Sequence, residues 1–216
     1  MKSDKYSTIV FDCDGVILNS NKIKTDAFFN ATIKYGQEKA NEFVNYHIEN
    51  GGISRYKKFE FFITKILKKD FDKILYSELL ENFSKYILKK LMTSEVVEGL
   101  DELKDFFCNS NWLIVSGGNQ TELRSTFKNR SLDTYFANGI YGSPDSKEEI
   151  LTREIKNQNI IFPALYLGDS KYDYAISSKH GLDFIFISQW TEVKNFKKWC
   201  VSKNIKHKKD LKSILN

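Results

Sequence analysis

The chain has 216 residues, of which 41% are hydrophobic, 14% aromatic and 28% charged. The aromatic content and the even spread of apolar residues exclude a disordered or low-complexity chain, and the length allows one large core or a core with a smaller satellite. Its net charge of +5 divides unevenly: residues 20–93 carry +5, residues 193–216 carry +7, and the remainder carries −7. An acidic body flanked by a basic insert and a basic tail attracts nucleic acid or small anions alike, while 29 Lys against 4 Arg reads first as solvated surface. Cys13, Cys108 and Cys200 show neither a disulfide framework nor metal-ligand spacing, so a reduced, cytoplasmic compartment is expected. The first apolar run is three residues long, too short for a signal peptide or a membrane span.

In chain order, that run is Ile9-Val10-Phe11, followed by Trp112-Leu113-Ile114-Val115, Ala164-Leu165-Tyr166-Leu167 and Phe184-Ile185-Phe186-Ile187. All are continuous rather than alternating, which predicts strands buried on both faces. Between the first and second runs, Asn21 to Tyr35, a segment after Gln37, Arg55 to Leu67 and Lys73 to Met92 read as helices. Phe59, Phe62, Ile63, Ile66 and Leu67 lay one apolar stripe along the third of these, with Ser54 at its N-cap position. Further helices are predicted at Val97 to Phe107, Gln120 to Lys128, Ser146 to Ile155 and Tyr172 to Lys179. The expected fold is α/β: a Rossmann-like, mostly parallel three-layer core with its site at the carboxyl ends of the strands and a helical insert hanging over that end.

The polar residues at those strand ends carry chemistry. Asp12 and Asp14 follow the first strand, two residues apart, with Gly15 permitting a sharp turn. Asp169 and Asp173 follow the third run in Gly168-Asp169-Ser170-Lys171-Tyr172-Asp173. Four such carboxylates on one rim describe a hard oxygen site suited to Mg²⁺. Ser116-Gly117-Gly118-Asn119 offers a hydroxyl and exposed N–H groups at the start of a helix, a cradle for an anion. Taken singly, each is an ordinary N-cap or turn; together at three strand ends they are not. His47 and His180, as lone histidines without acidic partners, read as packing or surface residues.

Phe11-Asp12-Cys13-Asp14-Gly15-Val16, Leu113-Ile114-Val115-Ser116-Gly117, Lys147 in Gly142-Ser143-Pro144-Asp145-Ser146-Lys147, and Leu167-Gly168-Asp169-Ser170-Lys171-Tyr172-Asp173 occur in that order. In this the chain resembles the haloacid dehalogenase superfamily of phosphatases and phosphomutases, over essentially its whole length. The resemblance implies a discontinuous catalytic core, residues 1–19 and 94–216, with a helical cap at 20–93. It implies that Asp12 is the nucleophile and Asp14 the acid and base, with Mg²⁺ held by Asp12, Asp14 (through its carbonyl), Asp169 and Asp173. Ser116, Gly117 and Lys147 would bind phosphoryl oxygens. Gly51-Gly52-Ile53-Ser54-Arg55 resembles the cap loop of β-phosphoglucomutase-like enzymes, which implies that Arg55 meets the substrate. Asn19 departs from the commonest form of the first motif, which weakens a mutase reading.

The expected activity is Mg²⁺-dependent hydrolysis of a small phosphomonoester, a sugar phosphate or similar metabolite, through an aspartyl-phosphate. A sugar phosphomutase is the alternative, and a non-catalytic anion- or nucleic-acid-binding protein the second. The expected partner is a small phosphorylated metabolite rather than a nucleic acid or a membrane, and the chain is expected as a monomer or weak homodimer.

Overall fold

Along β1 (Thr8–Phe11) successive side chains enter opposite faces of a sheet, and both faces are apolar. Ile9 and Phe11 join a cluster with Trp112, Ile114, Leu165 and Leu167, whereas Val10 joins Leu113, Val115, Ile150 and Tyr166. The computed structural model describes residues 4–215. Among them, β1, β2 (Asn111–Asn119), β3 (Ile140–Ser143), β4 (Ala164–Gly168), β5 (Asp183–Ile187) and β6 (Lys206–Lys208) form one parallel sheet in the order β3-β2-β1-β4-β5-β6. Phe11 stands opposite Ile114 on one side and Leu167 on the other. From β1 the chain passes to the β2 side of the sheet and from β4 to the β5 side. The carboxyl ends of β1 and β4 therefore bound the crevice in which sheets of this kind bind ligands.

Between β1 and β2 lie α1 (Asn21–Thr32), α2 (Gln37–Glu49), α3 (Arg55–Phe61), α4 (Lys73–Thr93) and α5 (Leu100–Phe106). The first four share an apolar cluster of their own, built on Phe28, Phe43, Phe59, Phe62 and Phe83. In α4, Leu75, Leu79, Phe83, Ile87 and Leu91 recur every fourth residue and form its buried stripe. Asp72 caps that helix by accepting from the N–H groups of Ile74 and Leu75. α6 (Gln120–Asn129), α7 (Lys147–Lys156), α8 (Lys171–Lys179) and α9 (Phe196–Ser202) alternate with the later strands. Among the described residues no helix is long and apolar enough to cross a membrane.

Several elements differ from their sequence expectation. The helix from Arg55 changes at Phe62 into a π-helical turn, Phe62–Ile66, closed by the Leu67 N–H on the Phe62 carbonyl at 2.8 Å. That wider turn keeps Phe62, Ile63 and Ile66 buried and leaves Leu67 half-buried. Ser54 occupies the N-cap position of α3 without a side-chain capping bond. α5 begins at Leu100 rather than Val97 because Gly99 adopts φ +90°, outside helical geometry. β3, β6 and α9 had no expectation: β3 contains Gly142, and β6 is three residues of which Lys206 and Lys208 are charged. Lysines on an edge strand discourage pairing with another chain, which gives part of the basic tail a structural reason.

Candidate active site

Asp12 follows β1 directly, and its N–H donates to the Leu167 carbonyl of β4 at 2.9 Å. That bond sets Asp12 beside the end of β4, where Gly168 is followed by Asp169. Gly15 turns the chain at φ +77°, and a Cβ there would overlap the Asp169 carboxylate and the Asn21 amide. Glycine is required twice over at this position.

Carboxylate oxygens of Asp12, Asp169 and Asp173 lie within 4.8 Å of one another, and all three residues are buried. One cation of the chain stands among them: Lys147 Nζ is 2.8 Å from Asp12 Oδ2 and 2.7 Å from Asp173 Oδ1. Burial, with repulsion from Asp173 and Asp14, pushes Asp12 up to about 7 against the pull of Lys147. Burial, then Asp12 and Asp173, raises Asp169 well above the carboxylate range. Lys147 itself, despite burial, is held charged by Asp12 and Asp173.

The three acids are not equally free. Asp173 accepts from Lys147 and from Tyr166 Oη at 3.1 Å on one oxygen, and from the Ser170 N–H and Oγ at 3.1 and 2.6 Å on the other. Asp12 accepts the Cys13 N–H at 2.7 Å, and Asp169 accepts the Asn21 amide at 2.6 Å. Asp12 and Asp169 thus retain lone pairs, and their raised pKa values show carboxylates short of positive charge, which fits a small, hard cation. Asp173 is saturated and acts on Lys147.

Asp14 faces elsewhere. Ser20 Oγ donates to it at 2.5 Å and the Lys24 ammonium bonds its other oxygen. Burial works to raise its pKa, but Lys24 and Ser20 outweigh it and hold the carboxyl below the ordinary range. Ser116 is fully buried at the end of β2 with its Oγ accepting the Gly118 N–H at 3.0 Å. Asn119 caps α6 by accepting the Glu122 N–H at 3.0 Å.

Asp12, Asp14, Asp169, Gly117 and Arg55 border one cavity of about 60 Å³, whose far wall comes from α1, α2 and α3 and the Gly51–Ile53 loop. Its volume corresponds to only a few waters. The helical layer is held down by several contacts. Arg55, 5% exposed and steadied within the layer by donating to Ser84 Oγ of α4 at 2.8 Å, bonds Glu122 of α6 through both terminal nitrogens, with Nη1 3.1 Å from Oε1. Asn119 Nδ2 donates to Tyr56 Oη at 2.7 Å, and Thr25 Oγ1 donates to Glu192 at 2.9 Å.

Lys147 and Asp173 lie behind Asp12, outside the cavity lining, and Ser116 lies beneath Gly117 and Gly118. Sequence reasoning did not find Lys24, Asn21, Glu122 or Tyr166. Tyr166 carried a signal, a hydroxyl in an otherwise aliphatic strand; the others bear on the site only through tertiary contacts. His47, expected as a packing or surface residue, is buried in the cavity wall beside Lys58, whereas His180 accepts or donates at the surface with Thr152 at 3.0 Å.

The family model for haloacid dehalogenase-like hydrolases matches residues 9–187. A structure from Clostridium acetobutylicum described as a predicted phosphatase is 19% identical, covering 97% of this chain and 98% of that one at a TM-score of 0.72. A haloacid dehalogenase-like family hydrolase from Streptococcus pneumoniae is 18% identical, with 98% of each chain covered and a TM-score of 0.66. A β-phosphoglucomutase from Clostridium difficile is 17% identical, with 89% and 87% covered and a TM-score of 0.69. At these identities the likeness establishes the fold. The search of curated proteins finds no match.

Proposed function

The chain belongs to the haloacid dehalogenase-like hydrolases, and from that premise we propose that it is a Mg²⁺-dependent phosphatase acting on a small phosphomonoester. The observation that carries this reading is the pair of buried carboxylates Asp12 and Asp169, with oxygen lone pairs left over after Lys147 and the local donors, on the wall of a cavity that Gly117 also lines. Asp12 and Asp169, with the carbonyl of Asp14, would hold the ion. Bound there, Mg²⁺ supplies charge for the phosphoryl oxygens and neutralises the carboxylates.

The chain's own residues have separable roles in this proposal. Asp12 Oδ attacks phosphorus, forming an aspartyl-phosphate as the ester oxygen leaves. The Gly117 amide binds a phosphoryl oxygen, and Ser116 holds that loop through its bond to Gly118. Lys147, fixed by Asp173 and Tyr166, keeps Asp12 ionised and aimed. Asp14, drawn down by Lys24 and Ser20, is suited to take the proton of the water that then attacks phosphorus and frees Asp12. To protonate the leaving oxygen it must first take up a proton, which release from Lys24 permits. The helical layer, residues 20–93, would open to admit substrate and close to exclude water. Arg55 reaches a substrate only by exchanging Glu122 for it.

Phosphate release from a panel of phosphomonoesters, with and without a chelator, tests this reading. One phosphate per substrate consumed, lost on chelation, is expected. Isomerisation of a sugar phosphate without phosphate release would point to a mutase, and release that survives exhaustive chelation would contradict the metal.

A further inference from the structure

Three cations of the helical layer line the cavity: Lys24, Arg55 and Lys58. Two are matched, Lys24 by Asp14 and Arg55 by Glu122. Lys58 is 2% exposed and no carboxylate of the described residues bonds it; its Nζ donates to His47 Nδ1 at 2.6 Å and to the His47 carbonyl at 3.3 Å. Glu192, an acid of the same wall, accepts from Thr25. A buried lysine without an acid is costly to maintain, and burial with Lys24 lowers its pKa to about 7.

His47 supplies an independent observation. It is 8% exposed, lines the same cavity, and its Nε2 has no hydrogen-bond partner among the described residues. Burial and Lys58 hold its imidazole neutral, and a charged Lys58 can only donate, so that in this state Nδ1 accepts and the ring proton is on Nε2. A buried N–H donor is therefore left open beside a buried amine with no counter-charge. Both deficits are met by the same chemistry, an oxygen anion.

We propose that Lys58 and His47 form a second subsite of the cavity, which binds an anionic group of the substrate, a carboxylate or a further phosphate, apart from the phosphoryl group that reacts at Asp12. This rests on the phosphomonoester reading of the same cavity. A sugar phosphate with no second anionic group would leave Lys58 without a counter-charge.

The test is calorimetric binding to the Asp12→Asn protein in Mg²⁺, using two matched pairs: phosphoglycolate against ethylene glycol phosphate, and propanediol bisphosphate against propanediol phosphate. Any effect of Asp12→Asn on the reacting phosphate is shared within a pair. The acid-bearing member of one pair should bind roughly tenfold to hundredfold more tightly, the effect of one charge-assisted hydrogen bond in a dry site. Which pair shows it tells a carboxylate from a phosphate. Adding Lys58→Met should erase the preference, and His47→Phe, which keeps a ring against Phe28, should reduce it. Thermal unfolding checks that both variants fold, and either one alone suffices. Equal binding within both pairs, or a preference that survives both substitutions, would overturn the subsite. Failure of the wild-type protein to release phosphate from any of the four compounds would instead count against hydrolysis, while the binding preference would still decide the subsite.

Discussion

Gly52, in the loop before α3, and Gly117, at the end of β2, meet backbone to backbone: a Cβ on Gly117 would overlap the Gly52 carbonyl. The helical layer thus closes directly on the amide proposed to bind phosphate. Gly117→Ala should force the two apart, at a cost of about 1–3 kcal/mol as an overpacked contact. Thermal unfolding and kcat/KM should both fall, and the paired change Gly117→Ala with a shortened Gly52 loop should recover stability before activity.

Among the described residues, Lys147 is the sole cation bonded to the three buried carboxylates. Lys147→Met in chelator should lower unfolding free energy by about 3–5 kcal/mol, since Asp12 and Asp173 are left uncompensated. With Mg²⁺ present, kcat should drop roughly 10²–10³-fold. Urea denaturation and steady-state phosphate release measure the two effects; an unchanged kcat would remove Lys147 from the mechanism.

The raised acids give a pH signature in the metal-free protein. A carboxyl with a raised folded pKa binds its proton more tightly folded than unfolded, so stability falls as pH rises between the two values. For Asp12 that window runs from 3.8, its ordinary value, to about 7, and for Asp169 it extends from 3.8 well upward. Asp12 and Asp169 therefore contribute a fall in melting temperature in chelator as pH rises above about 4, read as the difference between the wild type and Asp169→Asn, because His47 and Lys58, both held low, contribute with the opposite sign. Asp169→Asn should lessen that decline and stabilise the chelated protein at the upper end, whereas Mg²⁺ should stabilise the wild type more than the variant.

How much of this was legible in the sequence depends on distance along the chain. Asp12 and Asp14 are two residues apart, and Asp169 ends a strand recognisable from Ala164-Leu165-Tyr166-Leu167, so their shared rim followed from the strand pattern. The sheet's central strands were visible because continuous apolar runs have one interpretation in a chain that alternates with helices. β3 and β6 were not, because a glycine and three polar residues form strands only through their neighbours. The engagement of Arg55 by Glu122 was hidden for another reason. Its partner lies 67 residues away on α6, and no local pattern joins them. The same applies to Lys58 and His47, on different helices and both ordinary in sequence.

Arg55 and Glu122 form a bidentate pair with side chains 5% and 17% exposed, so they should couple strongly for a pair at the edge of a cavity. A double-mutant cycle with Arg55→Met and Glu122→Gln should give a coupling energy of about 1–3 kcal/mol in denaturant unfolding. Arg55→Lys should lose most of it, because the fork is lost while the charge remains. Additive effects would show that the pair does not hold the helical layer closed.

The central claim is that Asp12 carries the phosphoryl group. Acid quenching of the wild-type protein during turnover of a radiolabelled phosphomonoester, followed by isolation of the peptide containing Asp12, tests it most directly. The expected result is label on that peptide in the wild type and none in Asp12→Asn, which should also lose phosphate release, since uncatalysed phosphate monoester hydrolysis is slower by up to ~10²¹. Phosphate release by Asp12→Asn at the wild-type rate, with no label on the Asp12 peptide of either protein, would contradict it.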